Sequence, residues 1–402
     1  MLFNGQHKVA IETHGCKLNQ ADSQALARQF HEEGFQVVPI SESVDVYIIN
    51  SCTVTHVADG KARHSIRYAK KRNPRAAIVV TGCYAQRSPD ALHSMSQIDL
   101  VISNVDKPLI VSKVCNLLQG PPLYSSTTRV NSVKIVPSGR KRAMVKIQEG
   151  CNQVCAYCIV PKVRGRERSI PIDSIVEQIN LYISLGHREI VLTGTQLGTY
   201  GFEYKNVNLT TLIFEILSKT SVERLRISSL QPQEITPELL GLWSDDRLCP
   251  HLHIPLQSGS NDILARMRRR YTNSDYYKAV KLVRQEVRDV SITTDVIVGF
   301  PNESDADFQQ TFDLCKNIEF SNIHTFPYSK RPGTSGFYFD GQVLDAIKSD
   351  RMKVMLNLSS ELSQMYRKMM DGQIRAILWE ESKELNPGIF RSVGLTDNYV
   401  RT

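Results

Sequence analysis

Three cysteines lie close together in the stretch EGCNQVCAYCIVPK, residues 149–162. They are Cys151, Cys155 and Cys158, in the spacing C-x-x-x-C-x-x-C. Thiolates are the ligands of iron–sulfur clusters, and a four-iron cluster usually takes four of them. A cluster held by only three thiolates would leave one iron open to bind a further group, such as part of a substrate. The count therefore predicts a metal centre that takes part in a reaction.

Zinc is the alternative metal for these thiols. A structural zinc site takes four ligands, so it would have to borrow one from elsewhere. His14, His251 and His253 lie beside predicted strands and are the candidates. The sequence contains no second C-x-x-C pair, which such zinc sites usually have. Iron is therefore the favoured metal for the compact trio.

Three further cysteines each follow a predicted parallel strand. Cys16 follows KVAIETHG, Cys52 follows DVYIIN after one serine, and Cys83 follows AAIVVTG. Ligand sites in parallel sheets lie at the carboxyl ends of the strands, so these thiols are expected to converge in space. The alternative is three unrelated buried cysteines, which are common in protein cores. Equivalent placement at three strand ends favours convergence.

The remaining three cysteines have no such placement. Cys115 and Cys315 lie in the apolar helical stretches VSKVCNLL and FDLCKNI, where they are expected to be small buried hydrophobic residues. Cys249 is given no role.

The first 118 residues alternate strands with helices. Continuous Val and Ile runs in the strands predict a parallel sheet that is covered on both faces, with helices over 19–34, about 55–72 and about 84–95. A last strand, DLVISN, precedes a helix KPLIVSKVCNLL. Residues 119–137 are rich in Gly, Pro, Ser and Thr, which is typical of a linker. The sequence thus predicts an α/β domain over residues 1–118.

The alternation resumes over residues 138–367. The six expected strands are AMVKIQ, EIVLTGT, ERLRISSL, HLHIPLQ, ITTDVIVGF and NIHTFPYS. Six βα units predict a partial (βα)6 barrel rather than the eight-fold one, with the compact cysteine trio in the loop after its first strand. Residues 345–370 are expected to form a long helix. The tail, 368–402, is expected to form three short strands.

The bulk properties fit a soluble protein. The chain has 402 residues, nine cysteines and a net charge of +8, with a pI near 8.9. No apolar segment typical of a signal peptide follows the N-terminus, and no apolar run approaches the roughly 20 residues of a membrane span. We expect a cytoplasmic protein with no membrane association and with reduced thiols. The positive charge is compatible with a polyanionic partner.

Taken together, these motifs resemble the radical S-adenosylmethionine (SAM) methylthiotransferases. The segments that carry the resemblance extend from about residue 8 to 335 and are THGCKLNQADS, IINSCTVTHVADGKARHSIR, VVTGCYAQ, GCNQVCAYCIVPKVRGRERS, HLHIPLQSGSNDILARMRRRYT and DVIVGFPNESDADF. The C-x-x-x-C-x-x-C motif is typical of the whole superfamily. The N-terminal domain with its three cysteines narrows the resemblance to the methylthiotransferases.

The resemblance implies two [4Fe-4S] clusters. Cys151, Cys155 and Cys158 would hold the cluster that binds SAM through its open iron and cleaves it to a 5′-deoxyadenosyl radical. Cys16, Cys52 and Cys83 would hold an auxiliary cluster that carries the sulfur to be donated. One SAM would methylate that sulfur, and a second would supply the radical that removes a hydrogen from the substrate. An electron donor of the flavodoxin or ferredoxin type is also implied.

Other contacts to SAM are expected near strand ends. Tyr157 precedes the last cysteine of the compact trio and would lie flat against the adenine. Gly194 and Gly198 would let the backbone approach the methionine part of SAM, and Gln257 would reach the ribose. Each of these glycines could equally serve a tight βα turn.

The stretch SCTVTHVADGKARHSIR resembles the branch of the family that acts on N6-threonylcarbamoyladenosine in tRNA. The implied reaction is methylthiolation of C2 of that base at position 37, beside the anticodon. The alternatives are isopentenyladenosine in tRNA or an aspartate of a ribosomal protein. Residues 60–75 carry seven Lys or Arg and no acidic residue, and RMRRR (266–270) and GRKR (139–142) add further basic clusters. These would bind the anticodon stem-loop, although a solvated basic helix face is the alternative.

The C-terminus departs from the family pattern. The family usually ends in a five-stranded RNA-binding domain called TRAM. Here the residues from 368 to 402 are enough for only a partial version. The basic clusters are therefore expected to carry more of the RNA binding.

Overall fold

The computed structural model describes residues 7–118 and 141–402. The linker expected over 119–137 and the first two residues of GRKR lie outside these ranges. The described chain forms two compact units. Unit 1 comprises residues 7–118 and Ile159–Arg166, and unit 2 comprises residues 141–158 and Glu167–Thr402. The chain therefore enters unit 1 a second time, directly after the compact cysteine trio.

The helices and strands of unit 1 follow the expected alternation. They are β1 (Lys8–Thr13), α1 (Lys17–Glu32), β2 (Gln36–Val37), β3 (Val46–Ser51), α2 (His56–Arg72), β4 (Ala77–Gly82), α3 (Cys83–Arg87), α4 (Pro89–His93), β5 (Leu100–Val101), α5 (Ile110–Leu117) and, from the second entry, α6 (Val160–Arg164). One expected helix, near 84–95, is split at Ser88 into α3 and α4. Pro89 explains the break, because it lacks an amide hydrogen for a continuous helix.

Unit 1 is a five-stranded parallel sheet in the order β2-β1-β3-β4-β5. Every residue of β3 is buried. Successive side chains of a strand point to opposite faces, so Ile48 joins the apolar core that contains Phe30, whereas Ile49 joins the core that contains Ile66. The parallel sheet covered on both faces is thus confirmed.

Helix α2 shows how local sequence sets an element. The Thr55 side chain accepts a hydrogen bond from the amide of Ala58 and so caps the helix, and Asp59 lies in the first turn. The last turn contains Lys70, Lys71 and Arg72, whose positive charges interact favourably with the negative end of the helix dipole. These signals fix the helix at nearly the predicted bounds.

Unit 2 contains the other elements. They are β6 (Arg142–Lys146), β7 (Gln148–Glu149), β8 (Arg168–Ser169), α7 (Ile172–Ser184), β9 (Glu189–Thr193), α8 (Leu209–Lys219), β10 (Arg224–Ile227), α9 (Pro237–Leu240), β11 (His251–His253), α10 (Asn261–Arg266), α11 (Asn273–Glu286), β12 (Ser291–Val298), α12 (Asp305–Ile318), β13 (Asn322–Pro327), α13 (Asp345–Met369), β14 (Ile377–Asn386) and β15 (Ile389–Thr396).

The six expected barrel strands are all present and parallel. They form two three-stranded sheets, β6-β9-β10 and β11-β12-β13. Single bridges, Leu225 with Leu248 and Ser229 with His253, connect the two sheets. The strands therefore neighbour one another in chain order, as a partial (βα)6 barrel requires. Among the described strands, no pairing closes β6 onto β13.

The expectation of three short strands in the tail is wrong. The tail forms one antiparallel hairpin of β14 and β15, and the third segment makes only a bridge between Leu395 and Arg401. Pro387 and Gly388 form the turn, and Gly388 has φ +79°, as the third residue of a type II turn requires. The polar stretch before this turn extends β14 instead of separating two strands.

Salt bridges and hydrogen bonds hold this tail against the amino ends of the barrel strands. Arg142, the first residue of β6, pairs with Glu380 at 2.5 Å. Arg224, the first residue of β10, donates to the carbonyl of Thr396 at 2.9 Å. The Arg226 guanidinium lies 3.8 Å from the centre of the Tyr399 ring. Arg142 is thus engaged within the protein, which corrects its assignment to an RNA-binding cluster.

None of the helices in the described ranges has the length and apolar composition that crossing a membrane would require.

Candidate metal centres

The three dispersed cysteines of unit 1 lie at one edge of its sheet. Cys16 is the N-cap of α1, Cys52 directly follows β3, and Cys83 is the first residue of α3 directly after β4. Because β1, β3 and β4 are neighbouring parallel strands, their carboxyl ends meet at this edge. The three strand ends therefore lie side by side, while convergence of the thiols on one metal centre stays a prediction.

Two glycines allow the loops to approach so closely. Gly15 has φ +94°, and a Cβ there would lie 2.6 Å from Cys52 Cβ and 2.8 Å from its Sγ. Gly82 has φ +95°, and a Cβ there would lie 2.6 Å from the backbone nitrogen of Ser51. A side chain at either position would be strained and would also separate the strand ends. The glycine before Cys16 and the one before Cys83 are thus part of the construction of the site.

The buried amide of Asn19 ties the first two loops together. Its Nδ2 donates to the carbonyl of His14 at 2.7 Å and to that of Ser51 at 3.1 Å. Asn50 in turn donates to the carbonyl of Asn19 at 2.9 Å. These bonds hold the loop of Cys16 against the end of the strand that precedes Cys52.

The thiols of unit 1 influence one another electrostatically. Burial raises the pKa of Cys52 to about 11, and the nearby thiols of Cys83 and Cys16 act in the same direction. Burial also raises the pKa of Cys83, and Arg164 and Lys107 oppose that rise. Three thiolates at this edge would therefore need a cationic guest, and an iron–sulfur cluster supplies positive iron ions to balance them.

Cys83 has polar neighbours from distant parts of the chain. The Arg164 side chain, from α6, makes a hydrogen bond to the Cys83 side chain. Asn104 Nδ2 lies 3.8 Å from Cys83 Sγ and donates to the carbonyl of Val163 at 2.8 Å. Ile159 and Val163 pack against Cys83. The segment that follows the compact trio thus completes the surroundings of Cys83.

Within residues 7–118 and 141–402, no group of three His, Cys, Asp or Glu side chains is arranged to hold one metal ion. The three cysteines nevertheless lie at the ends of neighbouring strands, and a Cβ at Gly15, directly before Cys16, would lie 2.8 Å from Cys52 Sγ. The two observations are compatible, because each ligand of a four-iron cluster binds a different iron and the thiolates need not converge on a single ion. The donor set of three thiols fits such a cluster.

The compact trio of unit 2 lies in the loop after β7. The amide of Gln153 donates to Cys151 Sγ at 3.3 Å, and the amide of Cys158 donates to the carbonyl of Cys155 at 3.1 Å. Burial raises the pKa of Cys151, and the thiol of Cys155 adds to this rise. Gly150, with φ +78°, starts the loop. Here the backbone of one short loop places all three thiols.

Arg269 approaches this second trio from the loop after α10. Its Nη1 lies 3.3 Å from Cys155 Sγ and 3.5 Å from the hydroxyl of Tyr157, and its Nη2 donates to Gln231 Oε1 at 3.0 Å. Its guanidinium also lies 4.8 Å from the centre of the Tyr271 ring. Arg269 therefore points inward, which corrects its assignment to the basic RMRRR cluster.

A chain of amide side chains continues from Arg269 across the carboxyl ends of β9 and β10. Gln231 Nε2 donates to Gln196 Oε1 at 2.5 Å and to Gln153 Oε1 at 3.2 Å. Gln196 in turn donates to the Glu234 carboxylate. Burial raises the pKa of Glu234, although hydrogen bonds from Gln231 and Gln196 oppose that rise. This polar surface lines the end of the barrel where the trio lies.

The four other residues expected to contact SAM have the following places. Tyr157 is partly buried and lies beside Arg269. A Cβ at Gly194 would lie 3.0 Å from Gln148 Oε1, and one at Gly198 would overlap the Glu234 carboxyl group. Gln257 has φ +66°. Its backbone N–H donates to the carbonyl of Asp295 at 2.8 Å, as part of a bridge to β12. Their roles in binding stay predictions.

Sequence analysis missed the polar residues that surround the two trios. In unit 1 they are Arg164, Lys107, Asp22 and Asn104. In unit 2 they are Arg269, Gln231, Gln196 and Glu234. One signal was present: Arg164 and Arg269 both fall within segments that carried the family resemblance. Composition alone placed Arg269 among solvent-exposed cations, because spacing does not tell which arginine of a cluster turns inward.

Two family models match the chain. Residues 8–103 match the uncharacterized protein family UPF0004, which covers the part of the chain that contains Cys16, Cys52 and Cys83. Residues 145–315 match the radical SAM superfamily, and this range contains the compact trio.

Similar proteins match nearly the whole chain. The threonylcarbamoyladenosine tRNA methylthiotransferase MtaB of Aquifex aeolicus is 38% identical over 98% of this chain and 95% of its own length. The MtaB of Bacillus subtilis is 36% identical over 98% of this chain and 89% of its own length. The chain belongs to the radical SAM methylthiotransferases. A tRNA-2-methylthio-N(6)-dimethylallyladenosine synthase of Thermodesulfovibrio yellowstonii is also related to this methylthiotransferase, at 33% identity over 94% of this chain and 88% of its own.

Solved structures support the fold. The radical SAM methyltransferase TsrM from Kitasatospora setae, solved with cobalamin and a [4Fe-4S] cluster, matches this methylthiotransferase with a TM-score of 0.59. The match covers 83% of this chain and 77% of TsrM at 14% identity. At that identity the likeness concerns the fold alone.

Proposed function

We propose that this radical SAM methylthiotransferase converts N6-threonylcarbamoyladenosine in tRNA to its 2-methylthio derivative, at position 37 beside the anticodon. The observation that carries the proposal is the presence of two separate thiol trios in a chain that matches two MtaB enzymes over 98% of its length. One trio lies at the ends of three parallel strands, and the other lies in the loop after β6 and β7. Methylthiolation needs both a radical source and a sulfur source, and two trios are suited to these two tasks.

Each trio is assigned one cluster. Cys151, Cys155 and Cys158 would hold the [4Fe-4S] cluster that binds SAM, and Cys16, Cys52 and Cys83 would hold the auxiliary cluster. When bound, these groups supply the electron that cleaves SAM and the sulfur that is transferred. The protein contributes the thiolates, an open ligand position at each cluster and a largely buried environment for four of the six sulfurs.

In unit 2, the protein's own side chains would position SAM. Arg269 connects Cys155 Sγ to Gln231 and thus links the cluster loop to the ends of β9 and β10. The buried Gln196 presents an amide at the same edge, where it is oriented by Glu234 and Gln231. Such fixed donors and acceptors hold a polar ligand in one orientation without reorganising.

The tRNA is proposed to contact α2 of unit 1. Of the seven basic residues between 60 and 75, Arg63 bonds to the Tyr84 hydroxyl, Lys70 pairs with Asp99, and Arg72 bonds to the carbonyl of Ser41. The rest have no ion-pair partner in the part of the chain that the structure describes; they are Lys61, Arg67, Lys71 and Arg75. Unpaired exposed cations of this kind are the ones that phosphates neutralise.

Three of these cations, Lys61, Arg67 and Lys71, share the exposed side of α2 with an aromatic pair. His64 and Tyr68 stack with ring centres 6.4 Å apart and an interplanar angle of 14°. At the amino end of α2, an open cavity of about 540 Å³ is lined by Glu12, His14 and Lys61, among others. Cations interleaved with exposed rings suit a single-stranded RNA loop, whose unstacked bases pack on aromatic side chains.

The RNA assignment is tested by salt dependence. Replacing Lys61, Arg67 and Lys71 together with Gln is expected to weaken binding of an anticodon stem-loop and to reduce the slope of log Kd against log salt by about 2 to 3. The matched control replaces three exposed lysines of other helices, Lys278, Lys281 and Lys353, with Gln. Equal effects of the two triple variants would place the RNA elsewhere.

Electron supply and location follow from the proposed chemistry. A flavodoxin or ferredoxin is proposed as the reductant, because each SAM cleavage consumes one low-potential electron. The compartment is proposed to be the cytoplasm, where tRNA is modified and thiols stay reduced.

The deciding experiment is mass spectrometry of tRNA nucleosides from cells with and without the gene. Selective loss of 2-methylthio-N6-threonylcarbamoyladenosine, restored by the intact gene and not by a Cys155→Ala copy, is the expected result. Loss of the isopentenyladenosine derivative instead would leave the enzyme class intact and change the substrate. The related dimethylallyladenosine synthase is the observation that keeps this second substrate in view.

An unchanged nucleoside profile would contradict the tRNA substrate altogether. A ribosomal-protein aspartate would then be the next substrate to examine, by mass spectrometry of ribosomal proteins from the same cells. Metal analysis of protein purified without oxygen separates both cases from a non-catalytic role. About eight irons per chain are expected for two four-iron clusters, whereas stoichiometric zinc without iron would indicate structural metal sites.

A further inference from the structure

Beside the dispersed trio of unit 1, two cations are buried around one carboxylate. Arg164 Nη2 and Lys107 Nζ each lie 3.0 Å from the same oxygen of Asp22. The side chains of Arg164 and Asp22 are each only 2% exposed, and that of Lys107 is 11% exposed. When all three groups are ionised, one positive charge among them is in excess.

Burying such an excess charge is costly. Removing an ion from water costs several kcal/mol unless opposite charge compensates it. An anionic group beside the two cations would compensate this charge.

The geometry shows where the excess charge acts. Arg164 bonds to the Cys83 side chain as well as to Asp22 and to the Asn19 amide oxygen. Lys107 also lies 3.5 Å from Asn50 Oδ1, at the end of the strand that precedes Cys52. Both cations thus lie directly at the loops that carry the thiols.

We infer that Arg164 and Lys107 are positioning residues that supply the counter-charge for the auxiliary cluster and for the sulfur anion it carries. The inference rests on the proposed function, because it assumes that Cys16, Cys52 and Cys83 hold that cluster. Three thiolates around an oxidised [4Fe-4S] core carry one net negative charge, which matches the excess of the two cations over Asp22. A reduced cluster or a bound sulfur anion adds a further negative charge, which the same two cations stabilise.

This role predicts shifts of opposite sign in the reduction potential. A positive charge beside a cluster favours the reduced form, and a negative charge disfavours it. Arg164→Gln is expected to lower the equilibrium constant for reduction of the auxiliary cluster about tenfold, which is 59 mV for a one-electron couple. Asp22→Asn is expected to raise it by a similar factor, because both cations then act without their carboxylate.

The measurement uses the full chain with Cys151, Cys155 and Cys158 replaced by Ala, so that only the auxiliary cluster remains. Its potential is determined by a redox titration followed by electron paramagnetic resonance, in this parent and in each variant. Arg164→Lys is the conservative control: it keeps the charge, and it is expected to restore most of the potential that Arg164→Gln loses. If Arg164→Gln does not retain iron, Lys107→Gln provides the same test.

The outcomes are distinct. Opposite shifts in Arg164→Gln and Asp22→Asn support the inference, because a merely structural role has no reason to produce them. Shifts of the same sign, or none, in variants that keep their iron overturn it and leave the proposed function standing. A parent that binds no iron contradicts the assignment of a cluster to Cys16, Cys52 and Cys83, and the inference fails with it.

Discussion

The two cysteine trios offer the same three ligands but are built in different ways. The trio of unit 2 lies on one loop, where the backbone between residues 151 and 158 sets its geometry. The trio of unit 1 comes from three strand ends that are separated by 36 and 31 residues, and only the order of the sheet joins them. A local site tolerates changes elsewhere in the fold, whereas a site made by a sheet depends on its packing.

The surroundings of the two trios also differ. Two cations and one carboxylate lie beside Cys83, all of them buried. A single guanidinium lies beside Cys155, and it belongs to a chain of neutral amides that ends at Glu234. Charge compensation dominates the first site, while the second offers directional hydrogen bonds. Under the proposed function, this difference would suit one site to an anionic sulfur and the other to a polar cofactor that must be oriented.

The largest expected effect separates the two trios directly. Cys155→Ala is expected to abolish both SAM cleavage and methylthiolation, whereas Cys16→Ala is expected to abolish methylthiolation and to leave SAM cleavage. Removing a residue that only supports a metal ligand typically lowers metal affinity or activity about 10–100-fold. Removing a ligand itself is expected to lower the affected activity by more than that. Assays of 5′-deoxyadenosine and of modified tRNA on the same samples measure both. Full methylthiolation by Cys16→Ala would refute the division of tasks.

The second prediction tests the dependence of the unit 1 trio on close backbone approach. Gly15→Ala is expected to cost about 1–3 kcal/mol of stability, because of its positive φ and the contact with Cys52. It is also expected to halve the iron content while SAM cleavage persists. Gly60→Ala on α2 is the control, since a Cβ there meets nothing within 4 Å, and it should be neutral or stabilising by up to about 1 kcal/mol. Urea unfolding and iron analysis report both quantities.

The third prediction concerns the guanidinium at the unit 2 trio. Arg269→Gln removes the donor to Cys155 Sγ and is expected to weaken SAM binding and slow SAM cleavage about 10–100-fold. The exposed Arg270→Gln is the matched control and should change neither. Binding is measured by calorimetry with SAM, and cleavage by release of 5′-deoxyadenosine. Unchanged SAM binding in Arg269→Gln would mean that the residue serves only the packing of the loop.

The smallest effects are expected from two carboxyl groups, one in each unit. Burial raises the pKa of Glu12, but hydrogen bonds from His14, Tyr47 and Ser65 outweigh it and hold the pKa at about 2. Burial raises the pKa of Glu167 to about 7. Glu12 therefore contributes stability that is present above pH 4.5 and is lost as the pH falls towards 2. Glu167 acts in the opposite sense, and stability is lost as the pH rises from 4.5 to about 7.

Glutamine variants check these signs in the metal-free protein. At pH 8, Glu12→Gln is expected to lower the free energy of unfolding by about 1–3 kcal/mol, and Glu167→Gln to raise it by about 1–2 kcal/mol. Urea unfolding at several pH values between 4 and 8 gives both numbers. Changes of the same sign at pH 8 would show that one of the two carboxyl groups does not titrate as its surroundings indicate.

The sequence alone determined the arrangement of the elements and the six thiols. Val and Ile runs at strand spacing predicted the parallel sheet, and six βα units predicted the barrel strands, because these periodicities report which faces are buried. The compact trio could be recognised from the sequence because its three cysteines lie within eight consecutive residues. The proximity of Cys16, Cys52 and Cys83 could be predicted because each follows a strand and parallel sheets bring the carboxyl ends of their strands together.

Tertiary structure alone decided which polar side chains lie beside the two cysteine trios. Arg164 and Arg269 look like other cations of basic segments in the sequence, yet one is buried beside Asp22 and the other lies against Cys155. The hairpin of the tail likewise depends on a turn and on contacts to the first residues of distant strands. Such choices follow from the desolvation of charges and from long-range packing, and neither leaves a periodic pattern in the sequence.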